Sequence, residues 1–183
     1  MATFPLFISV SDIKDRGYID GNVDDITIRK CILTAQDMQI HPVLGTALYD
    51  KLVTDVTAGS VVTPYTTLLE KLKPALIWAT MYELVYPLSI RMRNKGTMQQ
   101  AGDNTSNMTL GELNSMMDNF MEKRSEYCQR LTNYLIENQT SFSEYTNPGS
   151  GVDDIQPDKD SYETTWWLGK GKKCYPGNNS IDL

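Results

Sequence analysis

Residues 75–86 read Ala-Leu-Ile-Trp-Ala-Thr-Met-Tyr-Glu-Leu-Val-Tyr, a stretch that is apolar on more than one face of a helix. A helix that is apolar around its circumference lies inside a protein, so this stretch predicts the central core helix, ending near Pro87 to Met92. Pro74 stands just before it, and a proline inside a helix removes a backbone hydrogen bond. We therefore expect an interruption at Pro74.

Amphipathic helices are expected on both sides of this core helix in the sequence. Before Pro74, Thr63 and Pro64 form a helix start, and the segment that follows carries Leu68, Leu69 and Leu72. After the core helix, the polar stretch 94–107 predicts a loop. Thr109 and Glu112 then form a capping box that opens a long helix to about Glu137. The apolar positions of that helix are Leu113, Met117, Phe120, Tyr127, Leu131 and Tyr134.

Two shorter helices are expected in the first third of the chain. Asp24 and Asp25 supply the cap and first-turn charge of a helix over about residues 25–39. His41-Pro42 should end it, because the residue before a proline is disfavoured in the helical conformation. The next helix runs to about Val53, with its apolar stripe at Leu44, Leu48 and Leu52. Residues 54–62 predict a loop, with a small hairpin as an option in an assembled state.

These elements predict an all-α fold, a small bundle of about four core helices over residues 23–138. Residues 1–22 predict an extended N-terminal arm with one helical turn near Ser11 that ends at Gly17. Residues 139–183 show little apolar periodicity and predict an extended, irregular C-terminal tail. A floppy, solvated tail is the alternative for that segment.

The predicted tail contains aromatic residues, which solvated linkers usually lack. Large apolar side chains are the usual anchors of protein interfaces. We therefore predict that the tail binds a partner through the following candidate residues: Phe142, Tyr145, Trp166, Trp167 and Leu168. The segment Gly169-Lys170-Gly171-Lys172-Lys173, which follows these anchors, lacks the strand and spacing of a phosphate-binding loop.

The charge and composition of the chain argue against several classes of protein. The formal net charge of −6 argues against sequence-independent binding of DNA or RNA, because phosphate neutralisation needs clustered Lys and Arg. The basic clusters 91–95 and 170–173 are short. The first residues lack the pattern of a signal peptide and no run of 18 apolar residues occurs, so we expect a soluble protein made in the cytosol, without a membrane partner. Three widely spaced cysteines indicate neither a disulfide framework nor a zinc site.

No residue pattern indicates catalysis. The chain has a single histidine, His41, which we expect to help close the turn between two helices. We predict no catalytic, cofactor-binding or metal-binding residues and no cofactor, since nucleotide-binding and nucleophile motifs are missing and the start of a calcium loop at Asp20 lacks its essential Gly and Glu. Several methionines, among them Met116 and Met117, favour core filling or an adaptable interface.

One stretch also carries a family likeness. It runs from Asp24-Asp25-Ile26 through Ala35-Gln36-Asp37 and on to Ile40-His41-Pro42-Val43-Leu44-Gly45-Thr46-Ala47-Leu48-Tyr49-Asp50-Lys51-Leu52. Over about residues 20–140, the chain resembles the small all-helical head-to-tail connector (adaptor) proteins of tailed bacteriophages, and most closely the ring proteins of crAss-like phages. Its most specific part is the helix followed by the Pro-x-Leu-Gly-x-x-Leu-Tyr turn.

The resemblance implies a structural virion protein at the head–tail interface, assembled in the cytoplasm of the host bacterium. It implies a homo-oligomeric ring of about twelve copies beneath the portal protein, next to other tail or connector proteins. DNA would pass through the lumen without specific binding. We expect residues 1–22 and 139–183 to contact neighbouring subunits or the portal.

Two other functions remain open from the residues alone. One is a non-enzymatic helical scaffold or regulatory module that binds a single protein partner through its C-terminal tail. The other is an enzyme that uses carboxylates such as Asp24, Asp25 and Glu83, which is disfavoured because no base or metal set accompanies them. A pocket that gathers those three acids would support it.

Overall fold

The computed structural model describes residues 4–93, 96–99 and 109–159, and this part of the chain is mostly helical, which confirms the all-α expectation. The α-helices are α1 Val10–Arg16, α2 Asp25–Ala35, α3 His41–Leu44, α4 Thr46–Ala58, α5 Tyr65–Ser89, α6 Leu110–Glu137 and α7 Ser143–Thr146. A π-helical turn, Gln36–Ile40, joins α2 to α3, and a 3-10 turn, Gln139–Ser141, follows α6.

Helix α5 lies at the centre and packs along α6 and α2. Its residues from Leu72 to Val85 supply much of the core, as the apolar pattern predicts. The interruption expected at Pro74 is wrong, because α5 continues from Tyr65 to Ser89 with Pro74 inside it. Proline removes only one hydrogen bond there, and the buried neighbours Leu72 and Ala75 hold both sides of the helix in the core.

The side-chain caps expected for α2 and α6 are confirmed, whereas α5 begins at Tyr65 with Pro64 at the cap position and no cap from Thr63. The side chain of Asp24 accepts the backbone N–H groups of Ile26 at 3.4 Å and Thr27 at 3.1 Å. At the start of α6, the Glu112 N–H donates to Thr109 Oγ1 at 3.3 Å, while the Thr109 N–H donates to Glu112 Oε2 at 2.8 Å. Such caps satisfy the N–H groups that have no partner within the helix.

The boundary expected at His41-Pro42 is confirmed, because α3 begins there with Pro42 in its first turn, but the expected departure of His41 from the helical conformation is wrong. The chain stays helical through the π-helical turn and α3, and the helical path ends at Gly45, whose φ of 77° suits glycine. A π turn has a wider hydrogen-bonding pattern, and it places Gln36, Gln39 and Ile40 in the interior.

The loop expected over residues 54–62 is wrong at its start. Helix α4 extends to Ala58 and ends at Gly59 in the left-handed conformation. A hairpin instead follows α5, where strands β1 Ile90–Arg93 and β2 Gly96–Gln99 pair antiparallel, with Ile90 opposite Gln99. The loop predicted over 94–107 therefore begins with a strand, and residues 94–95 and 100–107 lie outside the described part.

The helical turn expected near Ser11 is confirmed as α1, which ends at Gly17, but the N-terminal residues pack onto the body, so the extended arm is wrong over the described residues. Ser9 and Asp12 form a capping box that starts α1, and Ile13 is fully buried. Phe7 is buried as well, and its N–H donates to Oε1 of the buried Gln36 at 2.8 Å. Burial of apolar residues on both sides of Ser9 explains why this segment folds against the helices.

Candidate interaction surfaces

An apolar groove with a volume of about 280 Å³ opens between the C-terminal half of α5 and the N-terminal half of α6. Helix α5 contributes Met81, Leu84 and Leu88, and helix α6 contributes Met116 and Phe120. We call this cavity the α5–α6 groove. Its lining also includes Tyr18 and Ile19 from the loop after α1, and the polar residues Ser89 and Asn119.

Aromatic stacking fixes one side of the α5–α6 groove. The rings of Trp78 and Phe120 stack with centroids 5.9 Å apart, and Tyr18 meets Trp78 edge to face at 5.2 Å. Lys123 Nζ lies 4.3 Å from the centroid of Trp78 and 4.7 Å from that of Tyr18, within cation–π range. Tyr18 is nevertheless 68% exposed. The groove thus has a preformed wall with an aromatic edge open to solvent.

The opposite end of the α5–α6 pair is covered by the chain itself. After the 3-10 turn, Phe142 is fully buried and meets Tyr65 of α5 at 5.8 Å and Tyr134 of α6 at 6.1 Å between ring centroids. Tyr145 on α7 is fully buried too, and burial, with Asp158 nearby, raises the pKa of its phenol. Tyr65 donates to Glu144 Oε2 at 3.0 Å, and burial followed by this bond raises the pKa of Tyr65 to about 12.

These contacts correct two predicted partner residues. Phe142 and Tyr145 are core residues of this chain, so their rings are not exposed to a partner. The irregular tail predicted from residue 139 is wrong at its start, because the 3-10 turn and α7 lie there. Large apolar side chains close the core from within the same chain, at a lower entropic cost than from a second one. Trp166, Trp167 and Leu168 lie outside the described residues.

A short strap, residues 155–158, returns across the start of α4. The Thr46 N–H donates to the Ile155 carbonyl at 3.0 Å, and the Ile155 N–H donates to Thr46 Oγ1 at 2.9 Å. The Asp158 N–H donates to the carbonyl of Pro42 at 2.9 Å. Pro157 is buried over Gly45, where an added Cβ would lie 2.8 Å from Pro157 Cδ. The absence of a side chain at Gly45 therefore allows the strap to seat.

His41 contacts Thr46, the residue that holds the strap. Its Nε2 lies 3.0 Å from Thr46 Oγ1, and its ring stacks on Tyr49 at 4.3 Å. Asp37 Oδ1 lies 3.7 Å from His41 Nδ1, beyond hydrogen-bond distance. The Asp37–His41–Thr46 order is that of a catalytic triad, yet the Thr46 hydroxyl already accepts the backbone N–H of Ile155. The cluster holds the strap, in line with the structural role expected for His41.

The acids of the enzyme alternative do not come together. Asp24 and Asp25 stand at the start of α2, where Asp25 pairs with Lys14 at 2.6 Å. The Glu83 carbonyl accepts from the Cys31 thiol at 3.7 Å in the second half of α2, and the Glu83 carboxylate accepts from Gln39 Nε2 at 2.8 Å, farther from Asp25. Residues 25 and 39 are about 20 Å apart at 1.5 Å per helical residue. The pocket that would have supported this alternative is therefore not formed by these three residues.

A polar junction surrounds Glu83 where α2, α5, α6 and the π-helical turn meet. Arg124 Nη2 donates to the Gln39 carbonyl at 3.1 Å. Burial, followed by the charge of Glu83, raises the pKa of Cys31 to about 11, so Cys31 is a protonated thiol at neutral pH. Cys128 is also buried as a free thiol, and its pKa is raised by burial. Both cysteines pack as small apolar residues.

Within residues 4–93, 96–99 and 109–159, no group of three His, Cys, Asp or Glu side chains is placed to hold a metal ion. None of the helices over the same ranges is long and apolar enough to cross a membrane.

Comparison with protein families gives one match. The model of the DUF6712 family, described as a family of unknown function, matches residues 40–155. The chain belongs to this family. No curated protein and no solved structure matches the chain.

The DUF6712 match extends beyond the boundary predicted at residue 138. It includes Phe142 and Tyr145, and it ends at Ile155, the first residue of the strap. The α5 and α6 walls of the groove also fall within the match, whereas Tyr18 and Ile19 precede it. The DUF6712 region therefore contains α3 to α6 and the covering segment, and α1 and α2 lie before it.

Sequence reasoning did not find the α5–α6 groove. Met116 stood out as part of a methionine-rich region, and Phe120 as an apolar position of α6, but neither signal placed them opposite Leu84 and Leu88. Tyr18 carried no signal, because its role depends on a loop that folds back onto α5 and α6.

Proposed function

We propose that this protein is a structural virion protein that forms a ring in the head-to-tail connector of a tailed bacteriophage. The ring would sit beneath the portal, link it to the tail, and surround the path of the DNA. The body would be a bundle of about four core helices, and the C-terminal residues would contact neighbouring subunits or the portal. The resemblance of residues 20–140 to connector proteins motivates this proposal.

The observation that carries the proposal is an apolar groove left open on an otherwise well-packed body. A ring needs heterologous contacts, in which one surface of a subunit meets a different surface of the next. The groove is one candidate surface. The β1–β2 hairpin is another, because a two-stranded sheet leaves two unlike outer edges, and edges are ready sites for pairing with another chain.

The charge of the chain supports a DNA-conducting lumen. A net charge of −6 makes the average surface repel phosphates, which discourages DNA from adhering during passage. This argument concerns passage alone, and DNA is not proposed as a bound partner.

Native mass spectrometry of the full chain, alone and mixed with the portal protein encoded in the same genome, tests the proposal. One chain has a mass of 20.7 kDa, so about twelve copies give roughly 250 kDa. We expect a closed oligomer of that order, alone or on addition of portal. A monomer that ignores the portal would overturn the connector function and favour the single-partner helical module.

A truncation then tests the proposed role of the tail. Because Phe142 and Tyr145 belong to the core, the removable part begins after Lys159. Deleting residues 160–183 should leave the helical circular dichroism spectrum and weaken assembly onto the portal. Deleting residues 139–183 serves as the contrast, since it should unfold the body. Unchanged portal assembly by the shorter truncation would refute the role of the tail.

A further inference from the structure

We propose that the α5–α6 groove receives the Trp166-Trp167-Leu168 segment of a neighbouring copy of this chain. This inference rests on the proposed function in that both require assembly of several copies. It adds the acceptor surface, the anchor and the direction of the contact, from the tail of one subunit to the groove of the next.

The size and chemistry of the groove fit a side-chain anchor. Its volume of about 280 Å³ lies just below the range of roughly 300–1,000 Å³ typical of small-molecule pockets. The aliphatic, aromatic and methionine lining suits an indole, and tryptophan is enriched among the residues that dominate interface energies. A buried indole N–H needs an acceptor, and Ser89 and Asn119 each provide an oxygen at the groove.

Charge complementarity points to the same segment. Trp166-Trp167-Leu168 is followed by Lys170, Lys172 and Lys173 within five residues, with no acidic residue among them. Residues 160–183 carry equal numbers of lysines and acidic residues, so the whole net charge of −6 belongs to residues 1–159. Lys123 places a cation over the aromatic wall, whereas exposed Asp20 adjoins Ile19 and exposed Glu112 lies one turn before Met116, which makes this other part of the rim acidic. A lysine-rich flank is attracted to such an edge.

The reach of the chain favours a neighbouring copy over the same one. The described chain ends near the covered end of the bundle, where Lys159 Nζ lies 5.1 Å from the ring centroid of Tyr145. Along α6, Tyr134 at that end and Phe120 in the groove are about 21 Å apart, and Met116 is about 27 Å away. Seven residues from Lys159 to Trp166 span at most about 23 Å when fully extended. A tail bound to its own groove would be taut, whereas a neighbour can present its groove within reach.

Binding of a labelled peptide tests the groove directly. The probe is a peptide of residues 160–183 with Cys174→Ser, titrated by fluorescence anisotropy onto the full chain carrying Trp166→Ala and Trp167→Ala. We expect saturable binding that a peptide with both tryptophans changed to alanine lacks. No binding of the unaltered sequence to the full chain would overturn the inference.

A matched pair of variants localises the binding. Asn119→Arg places a long cation at the groove, whereas Asn114→Arg makes the same change at an exposed position of α6 outside it. Asn119 is itself exposed, so its replacement leaves the core intact. We expect at least a tenfold loss of peptide affinity for Asn119→Arg and less than a twofold change for Asn114→Arg. Equal affinities would overturn the inference.

Mixing two full-length variants distinguishes a neighbour's groove from the chain's own. One variant carries Asn119→Arg with an unaltered tail, and the other carries the two Trp→Ala changes with an unaltered groove. We expect one-to-one heterodimers by native mass spectrometry, because only one tail and one complementary groove remain. Peptide binding without heterodimers would show a contact within one chain and would overturn the direction of the contact.

The outcomes for the two proposals are separable. Portal-dependent ring assembly that persists in Asn119→Arg would leave the connector function standing and remove the groove contact. Peptide binding and heterodimers in a protein that ignores the portal would keep the groove contact and remove the connector function.

Discussion

The two ends of the α5–α6 pair differ in how their apolar surface is covered. At one end, Phe142 inserts between Tyr65 and Tyr134 and is fully buried. At the other end, the groove beside Leu88 and Met116 has no cover among the described residues. Both ends are built from the same two helices, so helix composition alone does not decide which end is closed.

The chain covers one end of the α5–α6 pair with its own residues and leaves an apolar groove at the other end. The turn after α6 brings Phe142 to the covered end within five residues of Glu137, so closure there needs only a short loop. The helix connection at the other end runs through the β1–β2 hairpin, and the described part of it does not cover the groove. An open apolar cavity on a packed body is a typical interaction site.

Removing the covering ring should produce the largest effect. We expect Phe142→Ala to lower the free energy of unfolding by about 3–5 kcal/mol, because it deletes a fully buried aromatic side chain and leaves a cavity. Urea denaturation followed by circular dichroism measures this change. The control is Phe4→Ala, since Phe4 is 69% exposed, and its effect should stay within about 0.5 kcal/mol. Similar values for the two variants would contradict a closed end.

A side chain placed under the strap at Gly45 should produce the second-largest loss of stability. Gly45→Ala imposes a side chain at φ 77° and ψ 157°, and sets a Cβ 2.8 Å from Pro157 Cδ. We expect a loss of about 2–3 kcal/mol in the free energy of unfolding, together with faster proteolysis near the strap.

A second glycine separates backbone strain from displacement of the strap. Gly59 has φ 63°, and nothing lies within 4 Å of its Cβ position. Gly59→Ala should therefore lower the free energy of unfolding by only about 1–2 kcal/mol, because alanine is disfavoured in the left-handed conformation. The rate of proteolysis at the strap should not change. Equal proteolysis rates in the two variants would show that the strap does not depend on Gly45.

The helix cap next to the open end should contribute less. Thr109→Ala removes the side chain that accepts the Glu112 N–H, and we expect a loss of about 1 kcal/mol in chemical denaturation. Thr34→Ala on exposed α2 surface is the control, because that hydroxyl only donates to the Lys30 carbonyl within the helix. A loss in the control as large as that of Thr109→Ala would argue against a capping effect.

The two capping boxes should also give a small acid dependence. Hydrogen bonds from Ser9 lower the pKa of Asp12 below its ordinary 3.8, and those from Thr109 lower the pKa of Glu112 below its ordinary 4.5. An acid with a lowered pKa in the folded state stabilises the protein above its unfolded pKa. That stabilisation is lost as the pH falls through the folded pKa.

Unfolding curves from about pH 6 to about pH 3 measure this loss. The slope of stability against pH should be shallower in Ser9→Ala and Thr109→Ala than in the unaltered chain. Thr34→Ala should keep the original slope. Parallel curves for all four proteins would show that these caps do not set the acid dependence.

Sequence patterns predicted correctly the helix starts that depend on interactions between residues close together in the chain. Asp24 and the Thr109–Glu112 pair mark helix starts because each satisfies backbone N–H groups within one turn. The same reasoning failed at Pro74 and at His41-Pro42, where packing on both sides sustains a helix that local propensity would end. Phe142 and Tyr145 were recognised as anchors, but their partner proved to be the body of the same chain.

Local sequence patterns specify an all-α body, the caps of α2 and α6, and the core position of α5 residues 72–85. Side-chain spacing and capping chemistry act over a few residues, so one sequence reveals them. Three relations are visible only in the tertiary structure. The segment after α6 closes one end of the bundle, and the strap packs over Gly45. Tyr18 and Met116 line the same groove. Those relations join residues far apart in the chain, and long-range packing sets them.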